Sequence, residues 1–249
     1  MQRNALASVI LAAGKGARMK SPMAKVLHPL SSKPLLAYVL DTVFALNPAR
    51  VVVVVGYQSE QVIDQFRDPR VEFVEQKELK GTGHAVLQTQ TALKGFAGNL
   101  LVLCGDMPLI KPSTLKKLVA HHEATQSRCT LLTLKIGEPK DFGRILRNEA
   151  GKVIGIIENS DASPTQKTID EYSTGVYCFE KDLVFEAIRH IDNNNSQAEF
   201  YLTDTIHKIA QNHLVVQSVQ TKDAEEIFGI NCEEDLKNAE RILTGHSSC

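Results

Sequence analysis

The 249-residue chain contains no tryptophan, few aromatic residues (6%) and no excess of either charge, its formal net charge being −1. Near-neutrality removes the basic footprint that nucleic-acid binding requires. Five cysteines, at 104, 129, 178, 232 and 249, include no C-x-x-C pair. An odd, scattered set argues against a disulfide framework and against a structural zinc site. No apolar run approaches the roughly 20 residues that cross a bilayer. The opening Met1-Gln-Arg-Asn4 leads straight into a strand-like run, so no signal peptide is expected. The absences together predict a cytoplasmic protein without nucleic-acid or membrane partners.

What is present is an ordinary globular composition, 43% hydrophobic and 23% charged. Apolar runs near 6–12, 51–55, 72–76 and 99–104 read as buried strands. They alternate with amphipathic stretches near 34–46, 58–66, 82–93 and 113–124, which read as helices. Pro34 suits a first helical turn, and Thr82 and Ser113 suit N-caps. After residue 127 the pattern changes. Strands are expected at 128–136, 144–148, 152–158, 172–179 and 214–220, with a turn at 148–151. Helices are expected near 181–190, 199–211 and 233–243, with 192–195 as a loop. The prediction is one α/β domain of Rossmann-like type, its mostly parallel mixed sheet flanked by helices. The change of pattern divides it into a first half (1–127), a second half (128–232) and a C-terminal helix and tail (233–249).

The first strand runs into Leu11-Ala-Ala13-Gly14-Lys-Gly16-Ala-Arg18-Met19, followed by Lys25. Glycines let backbone N–H groups approach an anion, and the added cations suit a polyphosphate. Residues 1–50 hold seven Lys or Arg against the single acid Asp41, which concentrates positive charge around this loop. A dinucleotide fingerprint fails because Met19 stands at the third glycine and no acid follows the strand at 51–55. A Walker loop fails because G-x-x-x-x-G-K-[ST] is missing. A nucleotidyltransferase-type loop remains, beside the plainer reading of a basic surface turn.

Ligands of open α/β sheets lie beyond the carboxyl ends of the strands. Gln76 follows the third strand with an amide able to read a pyrimidine edge, and Gly81-Thr82-Gly83 opens a helix where backbone and ligand can approach. Each also has a plain structural reading, as a polar strand end and as a helix cap. Asp106, in Leu103-Cys-Gly-Asp-Met-Pro-Leu109, offers a hard oxygen to Mg²⁺, and Asn231 in Phe228-Gly-Ile-Asn231 offers a second. Their alternatives are a turn-former and the N-cap of the last helix.

Taken in order, these motifs, with Gln76…Gly81-Thr-Gly-His84, Gly143-Arg-Ile145, Glu158, Thr174-Gly175 and Asn193-Asn-Asn…Glu199-Phe-Tyr-Leu-Thr-Asp204, resemble the uridyltransferase domain of bacterial N-acetylglucosamine-1-phosphate uridyltransferases. The resemblance spans nearly the whole chain. It implies that the Gly14–Arg18 loop and Lys25 hold the triphosphate of UTP, that Gln76 and Gly81 read uracil, and that Asp106 and Asn231 hold Mg²⁺. It also implies that Gly143, Glu158 and position 173 face the amino sugar of N-acetylglucosamine 1-phosphate. The chain departs from the family at Ser173 (usually Asn), Ser160 (usually Lys) and Ala198 (usually Gly). A serine hydroxyl is shorter than an amide, so a sugar contact there would be lost or bridged by water.

The reaction implied is attack of the sugar phosphate on the α-phosphorus of UTP, releasing pyrophosphate, with Arg18 and Lys25 as fixed cations. Another sugar phosphate, or a nucleotide-sugar-binding module without catalysis, are the alternatives. Members of the family often continue into a hexapeptide-repeat β-helix that acetylates and trimerises. No such period occurs in these residues, so a monomer or weak oligomer without acetyl transfer is expected.

Overall fold

The computed structural model describes residues 5–138 and 140–245. The expectations for Met1–Asn4 and for the last four residues of the tail, Cys249 among them, lie outside these.

In chain order the first half comprises β1 (Leu6–Ala12), a short hairpin of β2 (Pro29–Leu30) and β3 (Lys33–Pro34), α1 (Leu35–Phe44), β4 (Arg50–Val55), α2 (Ser59–Gln65), β5 (Val71–Glu75), α3 (Thr82–Gln88), β6 (Asn99–Cys104) and α4 (Pro112–Ala124). The second half comprises β7 (Cys129–Lys135), β8 (Arg144–Arg147), β9 (Val153–Ile157), β10 (Glu171–Glu180), α5 (Lys181–Ile188), α6 (Asp204–Gln211), β11 (Val216–Thr221) and α7 (Glu233–Leu243).

One nine-stranded sheet runs β11-β7-β10-β6-β1-β4-β5, with β8 and β9 added beside β10. Strands β5, β4, β1 and β6 are parallel, as are β7 and β11, while β10 pairs antiparallel with β6 and β7. The carboxyl ends of the parallel strands and the start of β10 therefore meet along one edge. Both halves share this sheet.

Continuous apolar runs suit strands buried on both faces. Val9, Val52, Val54, Leu100 and Val102 pack on one face with α3, α5 and α6. Ile10, Val51, Val53, Leu101 and Leu103 pack on the other with α1, α2 and α4. The period-two alternation of strand side chains thus feeds two cores from one sheet, and each fully buried Val or Leu contributes about 1.5–3 kcal/mol.

Several expected boundaries shift. Helix α3 ends at Gln88 rather than 93, and the 199–211 helix begins only at Asp204. Pro34 precedes α1 because it closes the β2–β3 hairpin, which the sequence pattern did not suggest. Gly81 and not Thr82 caps α3, Lys111 and not Ser113 caps α4 with Pro112 in the first turn, and Cys232 and not Asn231 caps α7. The turn at 148–151 and the loop at 192–195 occur where expected.

Candidate active site

After β1 the chain turns through Gly16 in the left-handed region (φ 64°) into a short helical turn, Ala17–Met19. A Cβ on Gly16 would lie 2.7 Å from the Cβ of Lys25, so this glycine lets the Lys25 stem pass beneath the loop. Met19, at the position that breaks the dinucleotide fingerprint, is buried against Leu30, Leu35, Leu109 and Ile230. It anchors the loop to the segment that carries Asn231. Lys25 lies among buried Ala24, Val26 and Leu27, whereas Met23 is exposed. The backbone N–H of Ala24 donates to Gln58 Oε1 at 2.8 Å, fixing this turn to the start of α2.

Three elements distant in sequence then meet. The Lys25 ammonium forms an ion pair with Asp106 beyond β6 and donates to Asn231 Oδ1 at 3.2 Å. Arg18 Nη2 donates to the same Oδ1 at 3.0 Å. The backbone joins the two oxygen-bearing residues, Ile230 N–H donating to Asp106 O at 2.9 Å. A further bond from Asn231 Nδ2 to Gly229 O turns the amide oxygen toward the cations. At the base of this loop the buried Glu226 carboxylate accepts hydrogen bonds from Thr114 and Thr221.

A cavity of about 220 Å³ opens beside this cluster. Of the residues singled out from sequence, Leu11, Ala13, Gly14, Lys25, Gln76, Gly81, Thr82 and Asp106 line it. Gln76 is buried and donates through Nε2 to Gly81 O at 3.0 Å and to His84 Nδ1 at 2.9 Å. Burial lowers the His84 pKa, so its imidazole is neutral and its Nδ1 can accept. The Gly81 turn is tied to residues 200–202: Gly83 N–H donates to Phe200 O and Leu202 N–H to Thr82 Oγ1.

Gly143, Glu158 and Ser173 form a second group. Ser173 N–H donates to Gly143 O at 2.8 Å, and a Cβ on Gly143 would lie 3.4 Å from Glu158 Oε2. Thr203 Oγ1 donates to Glu158, whose pKa burial pushes upward. The β10–β7 register shifts between Ser173 and Tyr177, around Gly175 at φ 77°. A bulge of this kind re-aims side chains. Ser173 Oγ consequently shares a hydrogen bond with the buried Tyr177 hydroxyl at 3.0 Å.

Sequence reasoning missed Cys104 and Glu199, both of which line the 220 Å³ cavity. Burial pushes the Cys104 thiol up to about 12, so it stays protonated, and burial also raises Glu199. Cys104 had a signal, since it directly precedes Gly105-Asp106 at a strand end. Glu199 had none beyond its place in the 193–204 motif.

Among the described residues no group of three or more His, Cys, Asp or Glu could hold a metal ion. Among the described residues, too, no helix is long and apolar enough to cross a membrane.

Comparison with known proteins agrees with this architecture. The family model of the MobA-like NTP transferase domain matches residues 8–198. The bifunctional protein GlmU of Pelobacter propionicus is 42% identical over 239 residues, 96% of this chain and 52% of its own length. Its counterpart in Syntrophotalea carbinolica is 43% identical over 243 residues, 98% of this chain and 52% of its own. The chain thus spans about half the length of these curated relatives. The crystal structure of UDP-glucose pyrophosphorylase complexed with UDP-glucose superposes with a TM-score of 0.77 over 98% of this chain and 100% of that chain. At 19% identity that likeness is one of fold. The family match begins inside the strand that feeds the Gly14 loop and runs through the bulged β10, and the chain belongs to the MobA-like NTP transferase domain family.

Proposed function

We propose that the chain is a Mg²⁺-dependent uridyltransferase, making UDP-N-acetylglucosamine and pyrophosphate from UTP and N-acetylglucosamine 1-phosphate. The observation that carries this reading is the convergence of Arg18, Lys25, Asp106 and Asn231 beside a cavity edged by the Gly14 loop and Gln76. The relatives named GlmU support the same choice.

The phosphate oxygen of the sugar phosphate is already ionised near neutral pH, so no general base is required. Alignment and charge neutralisation do the work. Arg18 and Lys25 supply positive charge for the triphosphate. Asp106 and Asn231 provide one carboxylate and one amide oxygen, a hard donor set that fits Mg²⁺, which keeps waters and phosphate oxygens for its other positions. When bound, the metal neutralises charge on the reacting phosphates. The first 127 residues would hold the nucleotide and residues 128–232 the sugar phosphate. Dependence on UTP suits a cytoplasmic enzyme.

Gln76 supports uridine. Its amide nitrogen is engaged by Gly81 O and His84, which leaves its oxygen to accept from a base. Uracil N3 carries a hydrogen, while cytosine N3 does not. A second reading, transfer to a different sugar phosphate, is favoured by Ser173, whose hydroxyl is shared with Tyr177. The test is pyrophosphate release from a panel of nucleoside triphosphates and sugar 1-phosphates with Mg²⁺. Turnover only with another pair would replace the proposed substrates, and none with any pair would leave a binding module.

A further inference from the structure

The oxygens that would hold the metal are already occupied by a cation, and it belongs to the protein. Lys25 Nζ pairs with the Asp106 carboxylate and donates to Asn231 Oδ1 at 3.2 Å, while Arg18 reaches that same Oδ1 at 3.0 Å. Asp106 and Lys25 are each only about 15% exposed (15% and 16%), so water screens the pair weakly. A divalent ion and an ammonium cannot share these oxygens at contact distance. We propose that Lys25 is the counter-ion of the metal site in the absence of substrate, that metal must compete with it for Asp106, and that metal binds tightly only when a nucleoside triphosphate draws Lys25 off Asp106.

The exchange has a built-in driving force. The backbone at Lys25 is anchored by its buried chain neighbours Ala24, Val26 and Leu27, and Gly16 leaves room for the stem beneath the loop. Swinging the flexible end toward a polyphosphate replaces one carboxylate partner with several anionic oxygens. Asp106 is then left with a vacated cation position, which raises its affinity for the metal. By linkage each ligand strengthens the other's binding. The chain would therefore retain divalent metal poorly by itself and take up metal and nucleotide together. This rests on the Mg²⁺–nucleotide reading of the site.

The test measures metal binding without nucleotide, using Mn²⁺ and the electron paramagnetic resonance signal of the free ion. Lys25→Met keeps an unbranched apolar stem and removes the charge. It should bind Mn²⁺ at least about tenfold more tightly than wild type, a modest part of the repulsion that a nearby unit charge exerts at an effective dielectric of about 20. Lys25→Arg retains the cation and should show no gain. Adding Asp106→Asn to Lys25→Met should abolish the gain, and adding Arg18→Met covers the case in which Arg18 moves onto Asp106. Equal or weaker Mn²⁺ binding in both Lys25→Met and the Arg18→Met/Lys25→Met pair overturns the proposal. In wild-type protein the same exchange is read by acetylation of amines and peptide mass spectrometry. Millimolar Mn²⁺ should speed labelling of Lys25, and unchanged labelling at metal saturation refutes displacement. Pyrophosphate release by the wild-type protein, run alongside, separates the two ideas. A Mn²⁺ gain in Lys25→Met without turnover by wild type refutes the activity alone, whereas wild-type turnover without a gain in the variant refutes the exchange alone.

Discussion

Replacing Gly81 with alanine should damage both the fold and the base pocket. Gly81 adopts φ 102° and ψ 174°, a region used almost only by glycine. An added Cβ would lie 2.7 Å from Phe200 O and 2.9 Å from both Phe200 N and Glu199 Cβ. Two of those neighbours are backbone atoms held by hydrogen bonds, Phe200 N–H to Lys80 O and Gly83 N–H to Phe200 O, both at 2.8 Å. They cannot rotate aside as a side chain would. Backbone strain of about 1–3 kcal/mol and overpacking of about 1–3 kcal/mol together predict a loss of about 2–6 kcal/mol. For a chain of this size that corresponds to a Tm lowered by about 4–24 °C. Any relaxation also shifts Gly81 O, which orients the Gln76 amide, so KM for UTP should rise as well. Gly14→Ala is the control, because its Cβ would meet nothing within 4 Å. It should stay within about 0.5 kcal/mol of wild type in urea unfolding while weakening UTP use by obstructing phosphate approach. A Gly81→Ala protein within about 1 kcal/mol of wild type, or a Gly14→Ala protein equally destabilised, would refute the reasoning.

Asp106→Ala should reduce Mg²⁺-dependent turnover by at least ~10², the scale of one lost transition-state contact; near-normal pyrophosphate release would remove Asp106 from the metal site. CTP should be used at least about 10²-fold less efficiently than UTP, because a buried amide left unpaired penalises the mismatched base; comparable kcat/KM values would contradict the role given to Gln76. Asp204 is pushed from 3.8 up to about 6, first by burial and then by Asp192, Glu158 and Asp161. The folded chain keeps this proton where the unfolded chain has lost it, so the contribution of Asp204 to stability falls as pH rises from about 4 to about 6. Asp204→Asn should therefore gain Tm relative to wild type across that window and hold a constant advantage above it; a pH-independent difference would exclude this assignment. Thr221→Val removes one of the two hydroxyl donors to the buried Glu226 carboxylate and should cost about 1–3 kcal/mol in urea unfolding.

The legible parts of the molecule were those where chemistry and local geometry coincide within a few residues. The runs at 6–12, 51–55 and 99–104 read as strands buried on both faces, because they are apolar at every position except Ser8 and Asn99 and are bounded by turn-formers. Strand–helix alternation then implied a mainly parallel sheet and directed attention to the residues just beyond each strand. That was sufficient to single out the Gly14 loop, Gln76 and Asp106, all of which line one cavity.

Other features depend on contacts between distant residues, and no local pattern encodes them. Asn231 could equally have capped the last helix; it faces Lys25 and Arg18 because Ile230 hydrogen-bonds to Asp106 and Cys232 takes the cap. Met19 looked like a failed glycine and is a core residue, buried by Leu30, Leu109 and Ile230 from three separate segments. Ser173 could be seen as a departure, but its engagement with Tyr177 requires the bulge in β10. Nor does residue type tell that Lys25 rests on Asp106 and Asn231, since it lies 81 positions from the one and 206 from the other. Hydrophobic periodicity and backbone conformational preference act over neighbouring residues, so the sequence by itself determined the strands, the fold class and the glycine-rich turn after β1. Side-chain pairing across the sheet edge exists only once the chain has closed, so tertiary structure alone decided which groups meet there.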